Sequence, residues 1–445
     1  MGAAGRALEV AGGVLSTAFS AIPFAANLVR SAFTAGSERR RVEAALARWD
    51  PPPPPRPPPV GPRRGRVFVI AGEPSGDRIA AGAVAALLRA HPGVQVSGFG
   101  GPRLAAAGCR VDRDLVSDPV MGVVAVLRRA PGFVRAFAGY LRALDHLRPS
   151  AVLLVDYPGF NLRAAEAARA RGIPVVWYVV PQIWAWAPWR ARRIGRAASD
   201  LCVVLPFERA FYQDRGVAST FVGYPLFEDR EREPVDGALR ASLGEGGGPL
   251  LALLPGSRAS EVRGNLPAML RAFGRVRETL PDARAAIACA APRLRPIVDR
   301  LVADAGQPVR VLDGGSRTLL DASGAALCVS GTVTMDCVDA GVPAVVLYRV
   351  GAPGRWLMPW FLTVPRFGLA NLLAGREIFP EHSDPDGDVV AIAAEAVDRL
   401  RDGPERAAAL AGVRELRERL AVAGCHERVA AILEGCLPAA AAGRS

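Results

Sequence analysis

From Val67 onward the chain alternates short, uninterrupted apolar runs with longer stretches whose apolar positions recur every three or four residues. Val67–Ala71, Ala151–Val155, Val175–Val180 and Leu201–Leu205 are runs of the first kind. A second series holds Leu250–Leu254, Ala285–Ala288, Val309–Leu312 (interrupted by Arg310), Ala326–Val329 and Ala344–Tyr348. Apolar runs without polar alternation, separated by helical stretches, predict parallel strands buried on both faces. The charged, glycine-rich stretch 228–248 separates the two series and reads as a hinge. The pattern therefore predicts an α/β protein with two Rossmann-like parallel-sheet domains facing a cleft. Their limits are set at 67–227 and 228–390, followed by C-terminal helices and a tail over 391–445.

Residues 1–66 read as an extension. Val10–Val29 carries no charge, and Leu15, Phe19, Ile22, Ala26, Val29 and Phe33 follow alternating steps of four and three, one face of a helix. Pro23 would kink that helix. Its glycines, serines and Asn27 make it a poor membrane span, so an interfacial anchor is the favoured reading. A cleaved signal peptide or an inert extension are the rivals. Pro51–Pro59, broken only by Arg56, is a stiff polyproline spacer.

At 445 residues, half of them hydrophobic and 22% charged, the chain has material for two packed cores. The net charge is +12 and every basic residue is an arginine. Residues 1–66 hold ten arginines and four acids, half of that excess, which suits an anionic membrane surface. No nucleic-acid-reading motif occurs, so phosphorylated substrates and membrane are the expected anionic partners. Seven scattered cysteines and four histidines form no metal-ligand spacing, and neither a metal nor a cofactor is expected.

The unusual residues cluster where strands end, which is where open α/β sheets bind ligands. Gly72-Glu-Pro-Ser-Gly-Asp77 is a strand-to-helix turn in which Ser75 is placed to cap the helix or its amides to meet an anion; a purely structural turn is the alternative. Asp156 follows a buried strand as a candidate general base, or else as a cap or ion-pair partner. Pro158 and Gly159 would hold the turn after it, and Asn161 would cap the next helix. In Pro255-Gly-Ser257-Arg258 the guanidinium fork suits a diphosphate. Ser330-Gly331-Thr332-Val-Thr334 opens a helix whose free N–H groups favour phosphate. Asp336, one turn along, is either a ribose acceptor or a favourable first-turn charge. Asn371, placed on a loop, would read a base or sugar, with Arg376 and Glu377 beside it. His382 reads as a loop residue near that pocket. Trp184, Trp186 and Trp189 precede a run of arginines, and Trp356, Trp360 and Phe361 form a second aromatic cluster expected to meet lipid. Trp177 reads as core. These features together point to a nucleotide-sugar pocket beside an apolar surface.

The motifs AGEPSGD (71–77), GFGGPRLAAAG (98–108), DPVMGVV (118–124), DYPGFN (156–161), VPQIWAWAPWR (180–190), LPFERAFY (205–212), LLPGSR (253–258), ASGAALCVSGTVT (322–334) and NLLAGRE (371–377) occur in order. On them the chain resembles the lipid-A-disaccharide synthases, inverting glycosyltransferases of the GT-B fold. The resemblance implies condensation of UDP-2,3-diacylglucosamine with 2,3-diacylglucosamine 1-phosphate, without a metal, giving lipid A disaccharide 1-phosphate and UDP. It implies a peripheral protein on the cytoplasmic face of the bacterial inner membrane, and a homodimer. By similarity Asp156 is the essential acid and Arg258 lies at the diphosphate, while Ser330, Thr332 and Asn371 fall where UDP is expected. Tyr224 stands where the family usually has histidine, Asp336 where it has glutamate and Ala370 where proline is frequent; His382-Ser-Asp384 replaces an apolar residue and glutamine. Those departures leave two alternatives, a transferase with another glycolipid acceptor or a non-catalytic relative.

Overall fold

The structure is a computed structural model that describes residues 36–49, 51–53, 61–116, 130–231, 234–349 and 362–439. The apolar segment Val10–Val29, most of the polyproline run, the motif at 118–124 and the Trp356, Trp360 and Phe361 cluster lie outside those residues. The chain divides into two compact units. The first takes in Met1–Asp229, Trp360–Thr363 and Val422–Ser445, the second Arg230–Pro359 and Val364–Ala421. The C-terminal helices, which the sequence set apart as one block, are thus shared between the units.

The first unit is built on a seven-stranded sheet in the order β3-β2-β1-β4-β5-β6-β7. Its strands are β1 (Gly65–Ala71), β2 (Val94–Gly100), β3 (Arg110–Asp114), β4 (Ala151–Val155), β5 (Val175–Tyr178), β6 (Asp200–Val203) and β7 (Thr220–Phe221). All pairings are parallel. Every residue of β4 is fully buried, as its unbroken apolar run requires of a central strand with helices on both faces.

The second unit carries a six-stranded parallel sheet ordered β10-β9-β8-β11-β12-β13. Here the strands are β8 (Leu250–Leu254), β9 (Arg284–Cys289), β10 (Val309–Asp313), β11 (Ala325–Val329), β12 (Ala344–Leu347) and β13 (Glu381–His382). Its core joins Leu251, Leu253 and Leu327 to Leu266, Met269 and Phe273 of the helix Ala259–Thr279 and to Ile392 of the helix Val389–Leu400. Each such side chain contributes roughly 1.5–3 kcal/mol on burial.

Strand order reverses between β1 and β4 in the first sheet and between β8 and β11 in the second. Such reversals open a crevice at the carboxyl ends of the two strands, because the following helices leave on opposite faces. The chain leaves those four ends at Gly72-Glu73, Asp156, Pro255–Arg258 and Ser330–Thr332. Four of the motifs singled out by residue chemistry therefore lie at the two switch points, whereas Asn371–Glu377 and the Trp184–Trp189 segment do not.

Candidate functional site

At the first switch point Asp156 and Tyr157 both adopt left-handed backbone conformations, with φ of 47° and 48°. Val179, just past the end of β5, does so too, with φ of 58°. Such positions cost about 1–3 kcal/mol each for non-glycine residues and persist only where the surroundings impose them. The imposing contacts are visible. The Asn161 amide donates to the carbonyls of Val155 at 3.1 Å and Asp156 at 2.7 Å, and Trp177 Nε1 donates to the same Asp156 carbonyl at 3.3 Å. The Asp156 N–H donates to the Tyr178 carbonyl at 3.0 Å. Gly72 leaves room for the Tyr157 ring: a Cβ there would lie 2.5 Å from it. Asn161 is fully buried and does not cap the helix Pro158–Ala170; the cap position is Tyr157, which offers no side-chain hydrogen bond. That corrects the capping role expected for Asn161.

Burial, and then the negative charge of Glu73, push the Asp156 carboxyl up to about 6, opposed by a backbone hydrogen bond from Tyr157. A carboxylate in that range remains ionised at neutral pH and is a stronger base than an exposed aspartate. Glu73, which the sequence reading passed over, occupies the N-cap of the helix Pro74–Ala90. Ser75 is exposed and sits inside the first turn, so it is not the cap it was expected to be. Asp77 has a structural task. Its buried carboxylate accepts from the amides of Gly101 at 2.7 Å, Arg103 at 3.0 Å and Leu104 at 3.2 Å. A Cβ on Gly101 would approach that carboxylate to 2.7 Å, so the paired glycines of GFGGPR and the aspartate of AGEPSGD are one packing unit.

β5 itself carries Trp177, and the turn after it carries Trp184, Trp186 and Trp189. Trp177 and Trp184 are buried, and Trp184 Nε1 donates to Glu208 at 2.9 Å. Burial raises the Glu208 carboxyl to about 7 against the pull of its hydrogen bonds from Leu205, Trp184 and Val204. Trp186 is exposed, with the Arg190 guanidinium 5.3 Å from its ring centroid. Tyr224 is buried and packs on Phe227, with ring centroids 5.6 Å apart.

In the second unit a pocket of about 340 Å³ opens between the carboxyl ends of β11 and β12 and the helix Ala259–Thr279, which follows β8. Glu261, Asn265, Ser330, Tyr348 and Arg349 are among its lining residues. Glu261 closes the Pro-Gly-Ser-Arg turn: its Oε2 accepts from the amides of Ser257 at 3.0 Å and Arg258 at 3.2 Å. Gly256, with φ of 109°, has no space for a Cβ against that carboxylate. The same glutamate holds Arg258 Nη1 at 2.5 Å, so the expected diphosphate ligand is an exposed guanidinium already paired within its own turn. Arg349 donates from Nε to the Gly264 carbonyl at 2.8 Å and pairs with Asp386 at 2.5 Å. The hydrogen bond to Asp386 raises its already high proton affinity, so this cation is permanent at the pocket wall.

Gly331 caps the helix Thr332–Ala340 with φ of 153° and no side-chain cap, and nothing lies within 4 Å of where its Cβ would be. Ser330 and Thr332 flank that opening. Thr334 is buried and bonds back to the Gly331 carbonyl at 2.8 Å, and Asp336 is half-buried one turn along.

Asn371 differs most from expectation. It lies in the helix Leu369–Ala374 rather than a loop, and it is 1% exposed. Its amide donates to the Phe379 carbonyl and to Glu381 Oε1, both at 2.6 Å, while Oδ1 accepts from the amides of Ile378 at 2.8 Å and Phe379 at 2.9 Å. Both donors and the acceptor are occupied, so the side chain has nothing left with which to read a base. Glu381 extends the knot by accepting from Phe367 and Gly368 amides at 3.1 and 2.9 Å. Phe367 in turn lies against Tyr348, ring centroids 4.5 Å apart, beside the pocket. Arg376 pairs with Glu415 at 2.6 Å rather than with its neighbour Glu377, and both Arg376 and Glu377 are exposed. His382 forms part of β13 and bridges Asp388 at 3.1 Å and Glu395 at 2.8 Å. Burial lowers its proton affinity, but the hydrogen bonds to Glu395 and Asp388 outweigh it and hold the imidazole above its usual range.

Sequence reasoning missed Glu73, Asn161's backward reach, Glu261, Arg349 and Glu381. Glu261 had a usable signal, since a glutamate three residues past the N-cap is capping-box spacing. Arg349 had none, because its partners Gly264 and Asp386 are remote in sequence, and Glu381 had none, because its partners at 367, 368 and 371 follow no helical or strand spacing.

The family described as Lipid-A-disaccharide synthetase matches residues 67–433. The lipid-A-disaccharide synthase of Anaeromyxobacter sp. (strain K) is 38% identical over 372 residues, covering 82% of this chain and 96% of that relative. Among solved structures, UDP-GlcNAc 2-epimerase from Neisseria meningitidis bound to UDP-GlcNAc aligns with a TM-score of 0.52 at 12% identity, covering 80% of this chain and 98% of that one. The glycotransferase of kitacinnamycin aligns with a TM-score of 0.51 at 20% identity, covering 85% and 100%. Both structural likenesses speak to the two-sheet GT-B fold.

Proposed function

Because the chain belongs to the lipid-A-disaccharide synthase family, glycosyltransferases of lipid A biosynthesis, we propose that it transfers diacylglucosamine from UDP-2,3-diacylglucosamine to 2,3-diacylglucosamine 1-phosphate. The observation that carries this reading is Asp156: a carboxylate held in a strained conformation at the first switch point, with its proton affinity raised toward neutrality. In the reaction the acceptor hydroxyl attacks the anomeric carbon, its proton passes to Asp156, and the bond to the UDP oxygen breaks with inversion. UDP leaves as the diphosphate, and charge develops on the leaving oxygen.

The second-unit pocket supports a matching role for that leaving group. The Gly331 opening offers helix amides, with Ser330 and Thr332 beside it, and Arg349 supplies a fixed cation. Arg258 joins when diphosphate oxygens displace Glu261 from its guanidinium, an exchange of one charge-assisted pair for another. Ser257 and Asp336 are assigned to the same nucleotide. Asn371 has a structural task, fixing the segment from Phe367 to Glu381.

The lipid substrates imply work at a membrane. Among the described residues no helix is long and apolar enough to cross one. A peripheral protein on the cytoplasmic face of the bacterial inner membrane, acting as a homodimer, fits the substrates, with Trp356, Trp360 and Phe361 as lipid contacts. The reading is tested by incubating purified protein with both acylated sugars in detergent: equal amounts of UDP and disaccharide 1-phosphate support it, and UDP binding without product on these substrates overturns it.

A further inference from the structure

Residues 36–49 lie outside the span 67–433 that the family matches, yet they are packed into the first unit. The helix over 36–46 buries Val42 and Ala45 completely. Three polar contacts fix the segment 36–49, two of them from the helix itself. Glu38 pairs with Arg215, Arg48 pairs with Asp214, and Arg39 Nη2 donates to the Leu362 carbonyl at 3.2 Å.

Those contacts fall on two pieces of one assembly. Arg215 and Asp214 terminate the helix Pro206–Gln213; the Arg215 guanidinium lies 3.9 Å over the Phe211 ring and donates to its carbonyl at 3.0 Å. The same helix carries Glu208, which receives Trp184 Nε1. Leu362 precedes Thr363, which is 1% exposed. The Thr363 amide donates to the Ala185 carbonyl at 3.0 Å, and its hydroxyl donates to the Trp184 carbonyl. The extension helix thus grips both supports of the Trp184–Ala185 turn, one through Glu38 and one through Arg39.

That turn follows β5, whose last residue accepts the Asp156 amide. It carries exposed Trp186 with Arg190 stacked on it. We propose that the helix over 36–46 is an intramolecular brace that holds the Trp184–Arg190 turn in place for the acylated acceptor, with Glu38 and Arg39 as its positioning residues. The kinetic half of this proposal rests on the function proposed above; the structural half does not. The Glu38–Arg215 pair is well placed for such a task, since its side chains are only 17% and 10% exposed and escape most solvent screening.

The test compares the full chain with the double substitution Glu38→Ala, Arg39→Ala and the conservative pair Glu38→Asp, Arg39→Lys. Alanine retains helix propensity, so the helix itself is not the target. Hydrogen exchange is followed at residues 183–187 and 362–363, and initial rates are taken against acceptor and donor separately. The alanine pair should exchange about tenfold faster at those residues, local opening having lost two supports. It should also raise KM for the acylated acceptor about fivefold with donor KM unchanged, and the conservative pair should recover most of both. Unchanged exchange and unchanged acceptor KM overturn the brace, as does a lower Tm with neither local effect. If wild-type protein forms no disaccharide, the functional reading fails on its own, and the exchange data still decide whether the brace exists.

Discussion

The side-chain amide of Asn161 donates to the main-chain carbonyl of Asp156 at 2.7 Å, and with the Trp177 indole it clamps that carbonyl while the backbone of Asp156 is left-handed. The candidate base is thus aimed by its own main chain. An acid whose folded value lies at about 6, above the ordinary 3.8, binds an extra proton in the folded state between those values. That contribution to stability is present at low pH and is lost as pH rises through about 6. Asp156→Asn removes the cost of the buried charge at neutral pH, and asparagine tolerates the left-handed conformation. Turnover should fall at least about a thousandfold while stability at pH 7.5 rises by up to about 3 kcal/mol. Paired rate and thermal-unfolding measurements check both.

Glu73 raises the Asp156 value through like charge. Glu73→Gln should therefore move the acid limb of the kcat/KM profile, expected near pH 6 in the unaltered protein, downward by about half to one unit. A limb that stays in place would show that burial alone sets the value.

Arg258 and Glu261 predict opposite effects from one ion pair. Arg258→Gln should weaken UDP about 10–100-fold, the loss of a charge-assisted contact. Glu261→Gln keeps an oxygen for the Ser257 and Arg258 amides but frees the guanidinium, so UDP affinity should hold or rise. Titration calorimetry with UDP distinguishes them.

Asn371→Ala would leave buried partners unsatisfied at Phe379, Ile378 and Glu381, costing about 2–4 kcal/mol. Below the lowered melting transition, UDP affinity should change by less than about threefold. Lost affinity with unchanged stability would instead restore a direct ligand contact.

The two sheets were legible in the sequence because β4, β8 and β11 are unbroken apolar runs, a pattern that only doubly covered parallel strands need. The switch-point residues were legible for a related reason: Asp156 and Ser330 are polar groups at the ends of such runs, where burial is costly without a task. Asn371 misled because an amide beside a glycine and two charges looks exposed, whereas its four hydrogen bonds are closed within an eleven-residue stretch ending at Glu381. The block at 391–445 was divided by tertiary contacts that periodicity does not encode: Cys425 and His426 of the helix Cys425–Gly435 bond Glu228 and Asp229, each 197 positions away. Residues 36–49 looked like part of a tail because their partners at 214, 215 and 362 are equally remote.

Whether Asp156 is the base of a disaccharide-forming transfer is decided by turnover of UDP-2,3-diacylglucosamine with 2,3-diacylglucosamine 1-phosphate in detergent containing EDTA, for the unaltered chain and for Asp156→Asn. Disaccharide 1-phosphate and UDP in equal amounts are expected from the first, and UDP binding without turnover from the second. Undiminished turnover by folded Asp156→Asn would contradict that role.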